Sequence, residues 1–285
     1  MNVRLIHYKA AKGNVGDDFS AWMFSRLLST PLDEKASSVL FGVGSILDRR
    51  FLQGTPERCS VFGSGARSRH DVPDTTVGDW RIYAVRGPLT ARALGLPCDR
   101  AVCDPGVLAP TLYPVVPDPQ AEIGIVPYYT ASTDLWSAVA RREGWKIVSP
   151  HLGVEDFITA LCTCRKVFCE SMHGAIFADA YGIPWRPLSA TGQQNEGRTH
   201  AFKWTDWASS VGLGFDSLKL PGLAAGAGGL DRLKTRAKVA WVHRRLKGAV
   251  EEDAFLLSDR KLLHGHQARL QELARQLDED LSHTP

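Results

Sequence analysis

The sequence predicts an α/β protein with two Rossmann-like domains that face a cleft, followed by a helical C-terminal extension. Three observations predict it. Short apolar runs alternate with helical patterns, four prolines within 110–119 divide that alternation into two series, and 221–285 carries mainly helical patterns. A chain of 285 residues with 44% hydrophobic content can bury two cores. We therefore predict domains at 1–115 and 116–220 and the extension at 221–285.

The first series has the alternation that is typical of a parallel sheet covered by helices. Strands are predicted at 3–8, 38–43, 59–62 and 81–85, and helices at 19–28 and 88–94. Pro88 suits the first position of its helix. Each predicted strand ends in glycine or in a polar turn, so polar groups gather where the strands end.

The second series follows the prolines and repeats the pattern. It comprises strands at 123–128, 146–149 and 166–169 and helices at 134–143, 154–164 and 175–181. Folds of this kind bind ligands at the carboxyl ends of their strands. We therefore expect the functional residues to lie in the loops that follow the strands.

His173 is the most informative residue of the chain. It lies in the turn Glu170–Gly174, between a buried strand and the amino end of a helix, and Gly174 allows a close backbone approach there. Helix N–H groups and the helix dipole favour a bound phosphate or carboxylate, and a histidine can give such a ligand a proton. A structural histidine bonded to a neighbouring loop is the alternative.

Further polar residues follow the strands of the first series: Asn14, Asp17, Asp18, Ser45, Ser64, Arg67, Arg86 and Asp104. Two have simpler interpretations, because Asp17 can be a helix N-cap and Arg86 can pair with a surface carboxylate. The segments 42–45 and 63–65 lack the further glycine and helix of a dinucleotide fingerprint. These residues are candidates for one site only if the fold brings them together.

Composition narrows the class of function. A net charge of +3 is too small to predict nucleic-acid binding and is compatible with an anionic small substrate. The six cysteines lack zinc spacing, so we predict no metal site and interpret them as buried thiols of a reducing compartment. The amino terminus lacks the apolar core of a signal peptide, which favours a cytoplasmic protein.

The last segment has a hinge-like composition at 222–229, rich in glycine and alanine, and then a basic amphipathic pattern at 230–250. Its apolar stripe is Val239, Val242, Leu246 and Val250. The basic residues of 232–247 allow a peripheral contact with the inner face of the cytoplasmic membrane, but packing on the protein body is favoured. A further helix is predicted at 255–281.

The order of the motifs resembles the polysaccharide pyruvyl transferase family over most of 1–215. The shared motifs are 13–18 (GNVGDD), 43–45 (VGS), 62–65 (FGSG), 85–90 (VRGPLT), 104–106 (DPG), 171–174 (SMHG) and 203–207 (KWTDW). Ser171 stands where the family often has an arginine, and Gly87 where it usually has an aspartate. These departures resemble the exopolysaccharide branch that forms ketals.

The resemblance implies a glycosyltransferase-B-like fold and transfer of pyruvate from phosphoenolpyruvate to two hydroxyls of a sugar, without a cofactor. It implies His173 as the acid, with Asp17 or Asp104 as the base. Donor contacts would come from Arg86, Lys203, Ser171, Met172 and Gly174, and acceptor or cleft contacts from Asn14, Asp18, Ser45, Ser64 and Arg67. The acceptor would be a lipid-linked oligosaccharide of an exopolysaccharide repeat unit.

Two other functions stay open. A nucleotide-sugar glycosyltransferase would share the fold, and a non-catalytic carbohydrate-binding or assembly protein would keep the cleft without the chemistry. Aromatic residues that can stack on sugars are Tyr128, Tyr129, Trp185, Trp204 and Trp207. For Trp204 and Trp207, core packing is favoured because both lie in an apolar helical pattern.

Overall fold

The computed structural model describes residues 2–52, 56–222 and 229–283, and it is an α/β protein with two parallel sheets, as predicted. Its strands are β1 Arg4–Ile6, β2 Val39–Phe41, β3 Cys59–Ser64, β4 Trp80–Val85, β5 Ala121–Val126, β6 Lys146–Ile147, β7 Cys164–Cys169, β8 Trp185–Ser189 and β9 Leu218–Lys219. Its α-helices are α1 Val15–Leu27, α2 Pro88–Ala93, α3 Ala109–Leu112, α4 Thr133–Ala140, α5 Val154–Cys162, α6 Met172–Ala180, α7 Thr191–Glu196, α8 Arg198–Ser210, α9 Gly229–Glu251 and α10 Arg260–Ser282.

The chain divides into two compact units. The first comprises Met1–Pro114, Ala201–Phe215 and Ser258–Pro285, and the second comprises Val115–His200 and Asp216–Leu257. The first crossing, after Pro114, falls in the proline-rich segment. The chain then returns twice to the first unit, so the predicted ranges 116–220 and 221–285 are each shared between the units. A helical period shows which face of a helix is apolar, but not which sheet that face covers.

The first unit contains a four-stranded sheet in the order β1-β2-β3-β4, and every neighbouring pair is parallel. The two central strands, β2 and β3, are buried on both faces, and Val39, Phe41 and Val61 belong to one core cluster. The helix α10 packs against β4, where Tyr83 Oη donates to Asp280 Oδ2 at 2.6 Å. The sequence segment predicted as an extension thus includes a helix of the first unit.

The second unit contains a five-stranded parallel sheet in the order β6-β5-β7-β8-β9. Numbered within the unit, this order is 2-1-3-4-5, one of the doubly wound arrangements. The strand order reverses between β5 and β7. In such sheets the crevice at the carboxyl ends of the two strands beside the reversal is where ligands bind, and β7 is the strand that leads to His173.

Several elements begin earlier than the sequence predicted. The helix α6 begins at Met172, so His173 lies in its first turn and not in the preceding loop. The helix α1 begins at Val15, because Asn14 O accepts from the amides of Asp17 and Asp18, both at 2.9 Å. Cys164, predicted at the end of a helix, begins β7. Cys98 is exposed, whereas the other five cysteines are buried as predicted. Polar and glycine-rich residues obscure a helix start because the sequence alone assigns them to loops.

The basic helix α9 buries its predicted apolar stripe in the core of the second unit. Val239, Val242 and Leu246 are at most 6% exposed and share a cluster with Trp136. This stripe therefore has a protein partner, and packing on the body, the favoured prediction, is confirmed. The predicted hinge at 222–229 lies outside the described residues apart from its two end glycines. No helix in the described ranges has the length and apolarity needed to span a bilayer.

Candidate active site

The centre of the candidate site is His173, the second residue of α6. Its side chain is buried, with 8% of the residue exposed, and its ring centroid lies 6.0 Å from that of Phe177. Ser171 precedes the helix in extended conformation, and no side-chain cap bond is made at this end. Amide groups of a first helical turn have no intrahelical acceptor, so this end of α6 favours an anion. The histidine thus lies at the helix end and at the strand-order reversal together.

Glu170 connects the histidine turn to the loops on either side of it. Its Oε2 accepts from the Tyr128 amide at 3.0 Å, after β5, and its Oε1 accepts from the Gly192 amide at 2.9 Å, after β8. The residue is 1% exposed. Burial raises the pKa of the Glu170 carboxyl, and the amide bonds oppose this only in part. One carboxylate therefore holds three neighbouring strand ends in register.

Glu170 had no role in the sequence analysis. A single acid after an apolar strand can be a solvated turn residue, and its acceptor role depends on two amides, each more than 20 positions away. In the sequence, its position directly before the Ser-Met-His-Gly motif is the feature that indicates a role for Glu170.

A chain of polar side chains runs behind Tyr128. Tyr128 Oη donates to Glu196 Oε1 at 3.1 Å, and Glu196 Oε2 lies 3.4 Å from His200 Nδ1. His200 Nε2 is 3.2 Å from Ser189 Oγ, which is 2.6 Å from Ser217 Oγ. Burial, followed by the Glu196 charge, raises the pKa of Tyr128. These contacts hold the Tyr128 phenol beside the loop that Glu170 holds.

Two glycines make close packing at this edge of the sheet. A Cβ at Gly174 would lie 2.8 Å from Val126 Cγ1, and a Cβ at Gly192 would lie 2.9 Å from Tyr128 Cδ2. Real Cβ atoms do not approach that closely, so both positions need glycine for packing. Gly174 lets α6 approach β5, which brings the histidine turn near the end of that strand.

Arg86 lies at the end of β4 in the first unit and is fully buried. Its Nε donates to Asp206 Oδ2 at 3.0 Å, its Nη1 to Ser45 Oγ at 2.5 Å and its Nη2 to Ala66 O at 2.9 Å. Arg86 therefore pairs with a carboxylate, but with a buried one on α8 and not with the surface one that the simpler interpretation predicted. The guanidinium joins the loops after β2 and β3 to α8.

Asp206 is also fully buried, and it caps α2. Its Oδ1 accepts from the amides of Leu89 at 2.8 Å and Thr90 at 3.0 Å, and its Oδ2 accepts from Thr90 Oγ1 at 2.5 Å. A Cβ at Gly87 would lie 2.1 Å from Asp206 O, so only glycine leaves room for this approach. Asp206 lies within the motif 203–207, but no local pattern in the sequence assigns it a role.

Asp104 is fully buried, and its Oδ1 accepts from the Gly106 amide at 2.9 Å. Burial raises the pKa of Asp104 to about 6, with the Gly106 amide and the Arg86 charge opposing and the Asp206 charge adding to the rise. A carboxyl that titrates near neutrality has the pKa of a general base. Its full burial, however, keeps it from a sugar in this conformation.

The loop after β1 carries the other candidate base. Asn14 Nδ2 donates to Asp17 Oδ2 at 2.5 Å, and the Asn14 amide donates to Asp18 Oδ2 at 3.1 Å. Asp17 is in the first turn of α1, so Asn14 and not Asp17 is the residue at the cap position. Both aspartates are half-buried and accessible.

His7, which the sequence analysis did not consider, belongs to the same cluster. Burial lowers its pKa, while a hydrogen bond to the Asp17 backbone opposes that shift. The imidazole of His7 therefore lies next to the Asp17 backbone.

The remaining predicted site residues differ in how far their side chains are buried. Ser64 is buried and its Oγ donates to Gly44 O at 3.3 Å, while Arg67 is partly exposed, 4.0 Å from Asp48 Oδ2. Lys203 is half-buried on α8, and Met172 is 5% exposed. Within the first unit the fold thus joins Arg86 directly to Ser45. Asn14 and the two aspartates after it form a cluster next to the same loop, since a Cβ at Gly44 would lie 3.9 Å from Asp17 Oδ1.

Four of the five candidate stacking residues are buried, namely Tyr128, which is 8% exposed, and the three tryptophans. Trp204 and Trp207 are fully buried, as the favoured prediction had it, and Trp185 is 1% exposed with its Nε1 donating to Asp179 Oδ1 at 3.0 Å. Tyr129 is half-exposed, with its ring centroid 4.8 Å from that of Tyr128. In the described part of the chain, no three histidine, cysteine, aspartate or glutamate side chains are grouped to hold a metal ion.

Comparisons with known proteins agree with the family that the motifs indicated. The family model described as Polysaccharide pyruvyl transferase matches residues 79–191. Succinoglycan biosynthesis protein ExoV of Rhizobium meliloti (strain 1021) is 30% identical over 222 residues, covering 75% of this chain and 67% of the relative. Uncharacterized protein L143 of Acanthamoeba polyphaga mimivirus is 22% identical over 245 residues, covering 75% and 76%. No solved structure matches the chain.

Proposed function

Because this chain belongs to the polysaccharide pyruvyl transferase family, we propose that it transfers pyruvate from phosphoenolpyruvate to two hydroxyls of a sugar, forming a cyclic ketal. The acceptor in this proposal is a lipid-linked repeat unit of an exopolysaccharide. The relative named for succinoglycan biosynthesis supports a polysaccharide acceptor. The glycosyltransferase-B-like arrangement of the units stays a prediction.

The proposed reaction places clear demands on the protein. Two C–O bonds form between the enol carbon and the sugar oxygens, and the bond from that carbon to the phosphate oxygen breaks. Of the two hydroxyl protons, one ends on the methylene carbon, which becomes a methyl group, and the other on phosphate. The site must therefore bind an anion, deliver a proton and accept one.

His173 is the proposed acid. The observation that carries this role is its position, in the first turn of α6 and at the strand-order reversal of the second sheet. As a cation it would protonate the methylene carbon or stabilise the leaving phosphate. Glu170 would act as a positioning residue, since it ties the histidine turn to the loops after β5 and β8.

Asp17 is the proposed base. Its partial exposure supports this role over Asp104, which is fully buried and caps a turn. Asn14 would orient the carboxylate through its 2.5 Å bond, and Asp18 would fix the Asn14 backbone. Lys203 is the proposed cationic contact to the donor, whereas the buried contacts of Arg86 support a role in holding the loops after β2 and β3.

The test measures phosphate release from phosphoenolpyruvate with candidate acceptor glycosides, for the wild type, His173→Ala and His264→Ala. His264 is an exposed histidine on α10 and serves as the matched control. We expect acceptor-dependent release that falls at least a hundredfold in His173→Ala and is unchanged in His264→Ala. Equal release by the two variants would remove His173 from the mechanism.

A thermal-shift comparison tests the competing functions. Phosphoenolpyruvate should raise the melting temperature of the wild type more than nucleoside diphosphates do, because only ligands of the folded state stabilise it. A larger shift with a nucleoside diphosphate would favour a glycosyltransferase. Acceptor binding without turnover would favour a non-catalytic carbohydrate-binding protein.

A further inference from the structure

The basic helix α9 has an outer face with an unusual composition. Leu233, Ala237, Trp241, Arg244 and Gly248 recur at steps of three or four residues, so they lie on one side of the helix. Leu233 is 70% exposed and Trp241 is 47% exposed. This outer face of α9 is distinct from the valine and leucine stripe that packs into the core.

Positive charge surrounds these exposed apolar residues. Residues 233–247 contain six lysines and arginines and no aspartate or glutamate, while the whole chain has a net charge of only +3. Lys234 and Arg245 flank the outer face on one side, and Arg236 flanks it on the other, all three exposed. The charge complement of this face is therefore an extended negative surface.

A groove beside Trp241 adds a defined place for a single anionic group. It has a volume of about 360 Å³, and its lining comprises Leu218, Trp241, Arg244, Arg245, Gly248, Ala249 and Glu252. The guanidinium carbon of Arg245 lies 6.0 Å from the centre of the Trp241 ring. The two arginines outnumber the one carboxylate of this lining, Glu252, and the small residues at 248 and 249 leave space beside them, which suits a phosphate diester with a short polar head.

We propose that the outer face of α9 binds the surface of a bilayer that contains anionic phospholipid. Trp241 and Leu233 lie at the level of the headgroups, where amphipathic and apolar side chains are stabilised, and Arg244 and Arg245 hold a lipid phosphate in the groove. This inference goes beyond the proposed transferase activity. Binding through the basic helix would localise the protein to a membrane that carries a lipid-linked acceptor.

The experiment is vesicle sedimentation without donor or acceptor, so its outcome is independent of the proposed reaction. Vesicles of phosphatidylcholine with phosphatidylglycerol are compared with vesicles of phosphatidylcholine alone. Wild-type protein should pellet with the anionic vesicles and be released at high salt, because screening weakens the attraction. The double variant Arg244→Gln/Arg245→Gln should lower the partition coefficient about thirtyfold, since each basic residue near the surface contributes about fivefold.

Two further variants separate the contributions. Lys261→Gln/Arg269→Gln removes two exposed charges from α10 and should leave pelleting unchanged. Trp241→Ala should reduce pelleting while the charges stay in place. Three results would overturn the proposal: equal pelleting with neutral vesicles, unchanged pelleting of the arginine double variant, or no pelleting at all. Stabilisation by free inorganic phosphate without pelleting would count as the third result and indicate a small-anion site.

Discussion

Replacement of Asp206 by asparagine tests whether the buried pair with Arg86 organises the first unit. Both side chains are fully buried, and the four hydrogen bonds that Asp206 accepts come from Arg86, Leu89 and Thr90. Asparagine keeps the shape but leaves the buried guanidinium without its counter-charge. It also offers one oxygen where two are needed. Removing one partner of a buried ion pair costs about 3–5 kcal/mol of unfolding free energy.

The matched control is Asp79→Asn, which breaks the pair of Asp79 with Arg58 at 2.7 Å in the same unit. The side chain of Asp79 is 46% exposed, so its loss should cost at most about 1 kcal/mol. Urea unfolding gives the free energies of the two variants and the wild type. Because two compact units can unfold separately, hydrogen exchange of a peptide over residues 86–94 locates the effect.

In Asp206→Asn, the amides of Leu89 and Thr90 should exchange much faster than in the wild type, since their acceptor is weakened. In Asp79→Asn they should exchange at the wild-type rate. If both variants lose the same small amount of stability, the pair does not organise the unit. Exchange at 86–94 that is unchanged in Asp206→Asn would refute the capping role.

Three further predictions concern single side chains. Glu170→Gln leaves one of two buried amides without an acceptor. It should therefore lower the free energy of unfolding in urea by about 1–3 kcal/mol and lower kcat for phosphate release more than it raises KM. Unchanged kinetics would exclude a positioning role. In the folded protein the pKa of Asp104 is about 6, above its ordinary 3.8, so the unfolded chain loses this proton at a lower pH than the folded protein does. The free energy of unfolding should therefore fall from about pH 4 to about pH 6 and stay constant above that. Asp104→Asn should flatten that slope, and an identical pH profile would contradict the shift. Gly192→Ala should lower the free energy of unfolding by about 1–3 kcal/mol because its Cβ meets the Tyr128 ring. The control Gly153→Ala, whose Cβ lies 3.9 Å from its nearest neighbour, should change it by at most about 0.5 kcal/mol. Equal melting temperatures of the two variants would argue against that contact.

The strands were predictable because buried parallel strands read as short apolar runs between polar turns. Val39–Phe41 and Cys59–Ser64 each show that pattern and are fully buried. The strand order of the second sheet was not predictable in this way. It depends on which side of β5 each crossover returns to, and local periodicity carries no record of that choice.

The site residues that lie in one contiguous sequence motif were predictable from the sequence. His173 follows the buried strand as expected, but it lies in the first turn of α6 and not before it, because the helix begins three residues earlier than the predicted Ala175. The partner of Arg86 was not predictable from local patterns, because Asp206 is 120 positions away and lies in a helix that crosses into the first unit. Arg86 was predicted as a donor contact, with a surface ion pair as the simpler alternative, and only the tertiary structure shows that its partner is buried.

In the proposed reaction, His173 delivers a proton while pyruvate becomes a ketal. The most direct measurement is mass spectrometry and NMR of the product formed from phosphoenolpyruvate and an acceptor glycoside in deuterated water. We expect a pyruvate ketal with one deuterium in its methyl group, formed by the wild type and His264→Ala but not by His173→Asn. A product without the ketal, or the same deuterated ketal formed at the wild-type rate by His173→Asn, would contradict it.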